Sequence, residues 1–441
     1  MTHIERKNYT IPIIMMIALF AMISFVTNLA APMGVVLKNQ FNLSNVMGMM
    51  GNFANFAAYA CMGIPAGRML SKIGYKKTAL TAIVVGFVGI GIQYLSGYAS
   101  SNISTEILTL PFGFFVYILG AFVAGFSMCM LNTVVNPMLN TLGGGGKKGN
   151  QLIQVAATFN SLSGTIVPML VGALVGEVAK ANITDVYPVM YIAMGIFALV
   201  FIVLSLVQIP EPYTEKAAST TANGKYSAWS FRHFILGVVA IFIYVGIEVG
   251  IPGTLNLFLA DAKAGGLSAA TAGFVVGTYW FLMLIGRFVG ASVAGKVSSK
   301  AMLVVASSIG LLLVVLAIVS PVESKILMPM LETGPTGKLS FGEANVPINA
   351  LFLVLCGFCT SVMWGGIFNL AVEGLGKYTS AASGIFMMMV CGGGILPLLQ
   401  NFIADNTSYM TSYWVIFVGL AYILYYALIG SKNVNKNIPV E

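Results

Sequence analysis

Twelve long apolar runs dominate the chain and restrict it to very few folds. They cover about 11–37, 46–70, 77–98, 110–140, 151–177, 188–209, 233–261, 270–296, 301–320, 347–374, 380–404 and 411–431. A run of about 20 apolar residues is what an α-helix needs to cross the hydrocarbon core of a bilayer. Lipid offers no hydrogen bonds, so each segment must satisfy its own backbone, which a helix does. A transmembrane barrel would show short alternating segments instead. Composition agrees: 8% of the residues are charged and 58% hydrophobic, whereas a soluble domain carries about 25% charged residues. The sequence therefore predicts an all-α integral membrane protein. The first run continues into Asn28 and Pro32 without a small-residue cleavage pattern, so it reads as a span rather than a cleavable signal.

Lys and Arg set the orientation, because they favour the cytoplasmic side. With both termini inside, 17 basic residues fall at cytoplasmic loops and span ends, and 5 fall outside. The expectation is a multi-pass protein of the cytoplasmic membrane with both termini in the cytoplasm. This placement also explains the net charge of +8 without nucleic acid. The polar stretch 210–232 divides the chain into an N-terminal half, 1–209, and a C-terminal half, 233–441. A longer polar loop, about 321–346, is expected outside. All five cysteines lie in apolar runs, Cys356 and Cys359 included, and His3 and His233 have no clustered partners. Neither a metal site nor a cofactor is expected, and no clustered nucleophile or acid suggests an enzyme. Gly143–Gly146 before Lys147 is no phosphate loop, since Thr141 holds the first glycine position and Lys148 replaces the hydroxyl residue.

Several motifs narrow the reading. Gly63, Gly67, Arg68, Lys72, Gly74, Lys76 and Lys77 line the turn after the second run. That turn resembles the loop signature of major facilitator transporters, with a weaker echo at Gly286, Arg287, Lys296 and Lys300. Asn132, Thr133 and Asn136–Pro137 follow in the fourth run, and Thr158–Asn160 in the fifth. Tyr244–Gly246, Gly286–Phe288, Ser383–Gly384, Gly392–Gly394, Pro397 and Ala404–Asp405 complete the series. In order and spacing they resemble the fucose permease family of sugar symporters. The resemblance implies the major facilitator fold, twelve transmembrane helices in two six-helix halves. It further implies uptake of a monosaccharide, a hexose or deoxyhexose, by alternating access coupled to a cation, by a monomer in the lipid bilayer. The chain departs from that family where it matters for protons. Asn132 stands at a family glutamate, Ala31 near a family carboxylate, and Ala157 at a family glutamine. Gly67 is near the place of the loop signature's acid.

The residues themselves show polar stripes. Asn132, Asn136 and Asn140 recur every fourth residue, on one helix face. Gln154, Thr158, Ser161 and Thr165 form a second stripe, Asn52, Asn55 and Tyr59 a third, and Thr27 and Asn28 begin a fourth. Neutral amides and hydroxyls both donate and accept, which suits sugar hydroxyls. Such residues also join helix to helix, but as a set they favour a solute cavity. Trp280, Trp364 and Tyr279 offer rings to a sugar face, or to packing. The candidate substrate residues are Asn28, Asn132, Asn136, Gln154, Asn160, Trp280 and Asn369, with Asn160 added by the resemblance. Glu248 is the acid deep in a span, followed by the helix-loosening Gly250, Pro252 and Gly253. Intramembrane acids are costly and functional, so Glu248 is the candidate coupling group, for a proton or sodium; facilitated diffusion stays open. Arg287 reads as a cytoplasmic-end residue that snorkels. A transporter of another solute (disaccharide, peptide or drug) and a sugar sensor without transport remain as alternatives.

Overall fold

The computed structural model describes residues 9–41, 43, 47, 50–103, 105–107, 110–175, 181–211, 226–333, 339–435 and 437–440. In the first half, α1 is Thr10–Gln40. One helical rod, Met50–Asn102, holds α2 and α3, separated where Gly74 takes φ +84°. A side chain at that φ is disfavoured, so glycine lets the chain turn between two crossings. α4 is Phe112–Leu142, α5 Gly146–Val175 and α6 Tyr187–Leu206. In the second half, α7 is Arg232–Ala260, α8 Ala269–Ala294 and α9 Ser299–Val319. α10 runs Ile348–Thr360 and resumes at Met363–Val372; α11 runs Thr379–Met388 and, after a 3-10 turn, Gly392–Asn406. α12 is Tyr409–Gly430, closing on a π turn.

Among the described residues, ten stretches are long and apolar enough to cross a membrane. The 53-residue rod is one of them, and at 1.5 Å per residue it is about 80 Å long, room for two crossings. α5, enriched in the amides noted above, completes twelve. The protein is thus a multi-pass, predominantly helical membrane protein, with helices within a few residues of the expected spans. A short antiparallel pair, β1 (Glu106–Ile107) and β2 (Leu110–Pro111), precedes α4. The expected polar loop 321–346 is instead ordered as an antiparallel hairpin, β3 (Lys325–Thr333) with β4 (Leu339–Pro347), paired from Lys325↔Pro347 to Thr333↔Leu339. Hydropathy missed it because its side chains alternate, with Met328, Met330, Ala344 and Val346 buried and Leu327 and Phe341 exposed. It is fixed to α8 by Leu331 N–H donating to Thr278 Oγ1 (2.9 Å) and by the Phe341 ring edge on Phe281 (5.9 Å).

Arg68, Lys72, Lys76, Lys147, Lys296 and Lys300 mark one side of the bundle, the basic end; the β3–β4 hairpin marks the other. Arg6, Lys7, Lys180, Lys216, Lys225, Lys338 and Lys436 lie outside the described residues, as do 212–225 of the linker and 334–338 of the outside loop. For Ala31 only the backbone, in α1, is described. The acid that the loop signature lacks is matched from elsewhere in sequence. Glu211, just after α6, accepts from the Tyr75 and Lys76 backbone N–H groups (2.7 and 3.0 Å) at the start of α3. A helix N-terminus leaves such donors unpaired and favours negative charge.

Candidate functional site

Two prolines set the local geometry. Proline has no N–H, so it leaves the carbonyl four residues earlier without its helical partner. Pro137 frees the Thr133 carbonyl in α4, and Ser383 of α11 donates to it at 3.0 Å. Pro252 frees the Glu248 carbonyl in α7, and Tyr279 of α8 donates to it at 3.4 Å, its hydroxyl also meeting Thr360 Oγ1 at 3.1 Å. Each freed carbonyl becomes a junction between helices, and the Pro137 junction joins the two halves.

Further junctions lie toward the basic end. Trp364 Nε1–H of α10 donates to Asn136 Oδ1 of α4 at 3.0 Å. Gln154 Nε2 of α5 donates to the Val362 carbonyl (3.0 Å), Gln151 Nε2 to the Ala291 carbonyl (3.3 Å) and Lys147 Nζ to the Lys296 carbonyl (2.8 Å). Small residues admit these contacts: a Cβ on Gly295 would sit 2.7 Å from Gln151 Oε1, and one on Gly365 2.8 Å from Gln154 Nε2. α2 and α11 also cross with almost no space, Gly67 lying against Gly384 and a Cβ on Gly63 falling 2.5 Å from Met388 N.

Arg287 corrects the sequence reading. It does not snorkel: its side chain is 10% exposed and its Nη2 donates to Glu248 Oε1 at 2.9 Å. Its Nη1 crosses to α5, donating to Ser161 Oγ (2.5 Å), Asn160 Oδ1 (3.4 Å) and the Ala157 carbonyl (3.5 Å). Seven residues separate Arg287 from the last residue of α8, about 10 Å along the axis and deeper than a side chain comfortably reaches. A buried opposite charge completes the explanation, since an ion pair inside low dielectric avoids two lone desolvated charges. The signal available in the sequence was that depth, read together with Glu248.

Seven residues return to one helix face, so Gly273, Trp280 and Arg287 share a face of α8. At the hairpin side that face is open: Cβ atoms built on Gly273 or Gly277 meet nothing within 4 Å, and Trp280 is 41% exposed. At the basic side the same face is held by α5 through Arg287. On this face the Glu248–Arg287 pair forms a floor held against α5, and the helix surface beyond it toward the hairpin end is uncovered.

The structure brings Asn136, Gln154, Asn160 and Glu248 into this cross-half floor. Asn160 also donates to the Phe20 carbonyl of α1 (2.7 Å). Asn132 lies one turn before Asn136 and donates to the Tyr59 hydroxyl (2.9 Å). Trp280 stands above the floor with its ring edge on Tyr279 (5.3 Å). Asn28 donates to Ser24 of its own helix (2.9 Å to the carbonyl) and is not joined to the floor. Asn369 donates to Ser299 Oγ (2.8 Å) within the second half. Thr158 and Thr165 of the α5 stripe donate to carbonyls of their own helix (both 2.9 Å). Sequence reasoning missed Arg287, the Val362 carbonyl and the Trp364 N–H; the last two have no residue-type signal, because backbone and indole partners depend on how helices are placed.

Comparison with known proteins places the chain among transporters. A family model described as the Major Facilitator Superfamily matches residues 13–398. A glucose/galactose transporter of Brucella abortus is 28% identical, covering 97% of this chain and 96% of its own length. The L-fucose-proton symporter of Escherichia coli is 23% identical over 91% of this chain and 88% of its own. Among solved structures, the transporter FucP in the outward conformation superposes with a TM-score of 0.78 at 21% identity, covering 96% of this chain and 100% of that one.

Proposed function

We propose, from the premise that the chain belongs to the Major Facilitator Superfamily, that it takes up a monosaccharide of the hexose class by alternating access, coupled to a proton or sodium. The family match together with the names of full-length relatives, a glucose/galactose transporter and a fucose-proton symporter, supports the substrate class. The observation that carries the mechanism is the α8 face. It is open at Gly273 and Gly277 and closed by Arg287 against α5. Rocking of one half against the other would close the hairpin end and release the basic end, exposing the floor to the other side.

In this reading the basic end faces the cytoplasm, by the Lys and Arg bias, and the cleft stands open outward. Residues 1–209 and 233–441 are the two moving halves, joined by 210–232. The sugar lies on the floor, its hydroxyls exchanging bonds with Asn132, Asn136, Gln154 and Asn160. Gln154 Oε1 is buried without a partner, an acceptor ready for a hydroxyl. Trp280 supplies a ring for the apolar face of a pyranose. Glu248 is the coupling carboxylate. Asn28 and Asn369 join the site only if the halves move.

Counterflow in proteoliposomes tests this. Vesicles loaded with unlabelled glucose or galactose should transiently concentrate the labelled sugar, and lactose or a dipeptide should not compete. Counterflow of a disaccharide or peptide, with none of a hexose, would replace the substrate assignment while leaving the fold untouched.

A further inference from the structure

Three buried amides at the basic end use only one side of their hydrogen-bonding capacity. Asn150 and Gln154 lie one turn apart on α5, and Asn369 lies on α10 in the opposite half. Their exposures are 0%, 0% and 4%. Each has committed its N–H group: Asn150 Nδ2 to Met302 Sδ of α9 (3.7 Å), Gln154 Nε2 to the Val362 carbonyl (3.0 Å) and Asn369 Nδ2 to Ser299 Oγ (2.8 Å). In each, the amide oxygen has no partner among the described residues. An amide oxygen can accept two hydrogen bonds, and a buried one without a donor is costly. The set therefore calls for a ligand rich in donors.

The facing backbone leaves room for one. A Cβ built on Gly365 of α10 would sit 2.8 Å from Gln154 Nε2 and 2.9 Å from Asn150 Oδ1, so both amides rest on that glycine. Asn369 follows Gly365 by one turn, on the same face of α10. Gln154 Oε1 also lies 3.7 Å from the Cβ position of Gly290 on α8. When the halves part at this end, α5 lifts off α8 and α10. The three oxygens then line a gap with glycine backbone in its second wall. Lys147, Lys296 and Lys300 flank that gap against one exposed acid, Glu373. This balance favours a neutral ligand with several O–H groups over a cation.

We propose that the gap is a second sugar station, an exit site that forms only as the basic end opens and accepts the hydroxyls of a hexose leaving the floor. It rests on the hexose reading given above. Asn150 stands ten residues before Asn160 on α5, about 15 Å along the axis, so the station is distinct from the floor. Gln154 lies between the two and serves both, which makes its oxygen the hand-over point. The two walls of the station are the two sides of the closed seal. Sugar arriving from the hairpin side therefore binds the floor without meeting Asn150, whereas sugar arriving from the basic side meets Asn150 first.

The test compares the two faces of the membrane. Glucose and its monodeoxy analogues compete with labelled glucose in exchange, offered from the hairpin side or from the basic side in vesicles of each orientation. At least one hydroxyl should matter from the basic side alone. Its removal should weaken competition roughly fivefold, the weight of one neutral hydrogen bond. Asn150→Leu keeps the volume and removes the oxygen. It should weaken glucose by the same factor from the basic side, leave it no weaker from the hairpin side, and abolish the extra penalty of that deoxy analogue. Identical deoxy patterns from the two sides of the parent overturn the proposal, whether or not the variant folds. A penalty that persists in Asn150→Leu also overturns it, since Asn150 would then act on the seal and not on the sugar. Both outcomes leave the hexose reading standing. Absence of hexose counterflow in the parent overturns that reading, and the proposal falls with it.

Discussion

At the basic end the two halves touch through amides, freed carbonyls and glycines; at the hairpin end the α8 face looks onto open space. The same helix, α8, takes part in both, with Gly273 and Gly277 bare, Arg287 bonded to α5, and Gly295 just past its end lying against Gln151 of α5. The contacts at the basic end are mostly hydrogen bonds and close backbone approaches rather than interlocked large side chains. Such a seal is specific yet separable, because water can take over each bond as the halves part. Several of its polar atoms are also unsatisfied while closed, among them Asn150 Oδ1 and Gln154 Oε1. Their hydration favours opening, so the seal is poised rather than locked. The hairpin end is arranged otherwise: β3 and β4 pack on α8 and on the start of α10, both in the second half, and belong to it.

Breaking the ion pair should have the largest effect on this contrast. Arg287→Ala leaves Glu248 buried and unpaired, and the fold should lose about 3–5 kcal/mol. Thermal unfolding in detergent should show a large drop, and Arg287→Ala combined with Glu248→Ala should recover much of it. A drop that the double variant fails to recover would mean that packing by the arginine, and not charge, closes the floor.

A wedge at the glycine crossing comes next. In Gly63→Val the side chain would strike the α11 backbone at Met388, 2.5 Å from a Cβ. Overpacking of this kind costs about 1–3 kcal/mol, and here it should be relieved by parting the basic end. Spin labels at Lys148 and Lys300, both exposed and in opposite halves, should move to longer separations. Unmoved labels would show that α2 and α11 do not set the closed state.

Trp364→Phe keeps the ring and removes the indole N–H that Asn136 accepts. The loss is one hydrogen bond, about 1 kcal/mol, so the same label pair should shift its populations about fivefold toward the open arrangement. At the other end, Leu327→Ser alters a side chain 60% exposed on the hairpin. A surface change of this kind stays within about 0.5 kcal/mol, so label distances and midpoint should match the parent. A clear shift would make the hairpin part of the gate and remove the contrast between the ends.

The sequence by itself determined the crossings, because hydropathy along a helix is local and a span must cover the whole hydrocarbon thickness. It also marked the breaks, since Gly74, Pro137 and Pro252 act on their own backbone, and it singled out Glu248, whose burial is costly anywhere in a span. Only the tertiary structure decided what those features meet. Glu248 finds its partner 39 residues on, and that partner reaches Ser161 across 126 residues. Helix rotation, invisible in composition, turned Asn136 and Gln154 to the opposite half while Asn28, Thr158 and Thr165 bonded to their own helix. An amide in a span must be satisfied somewhere, and its identity cannot say where, because every helix carbonyl and every neighbouring side chain competes for it.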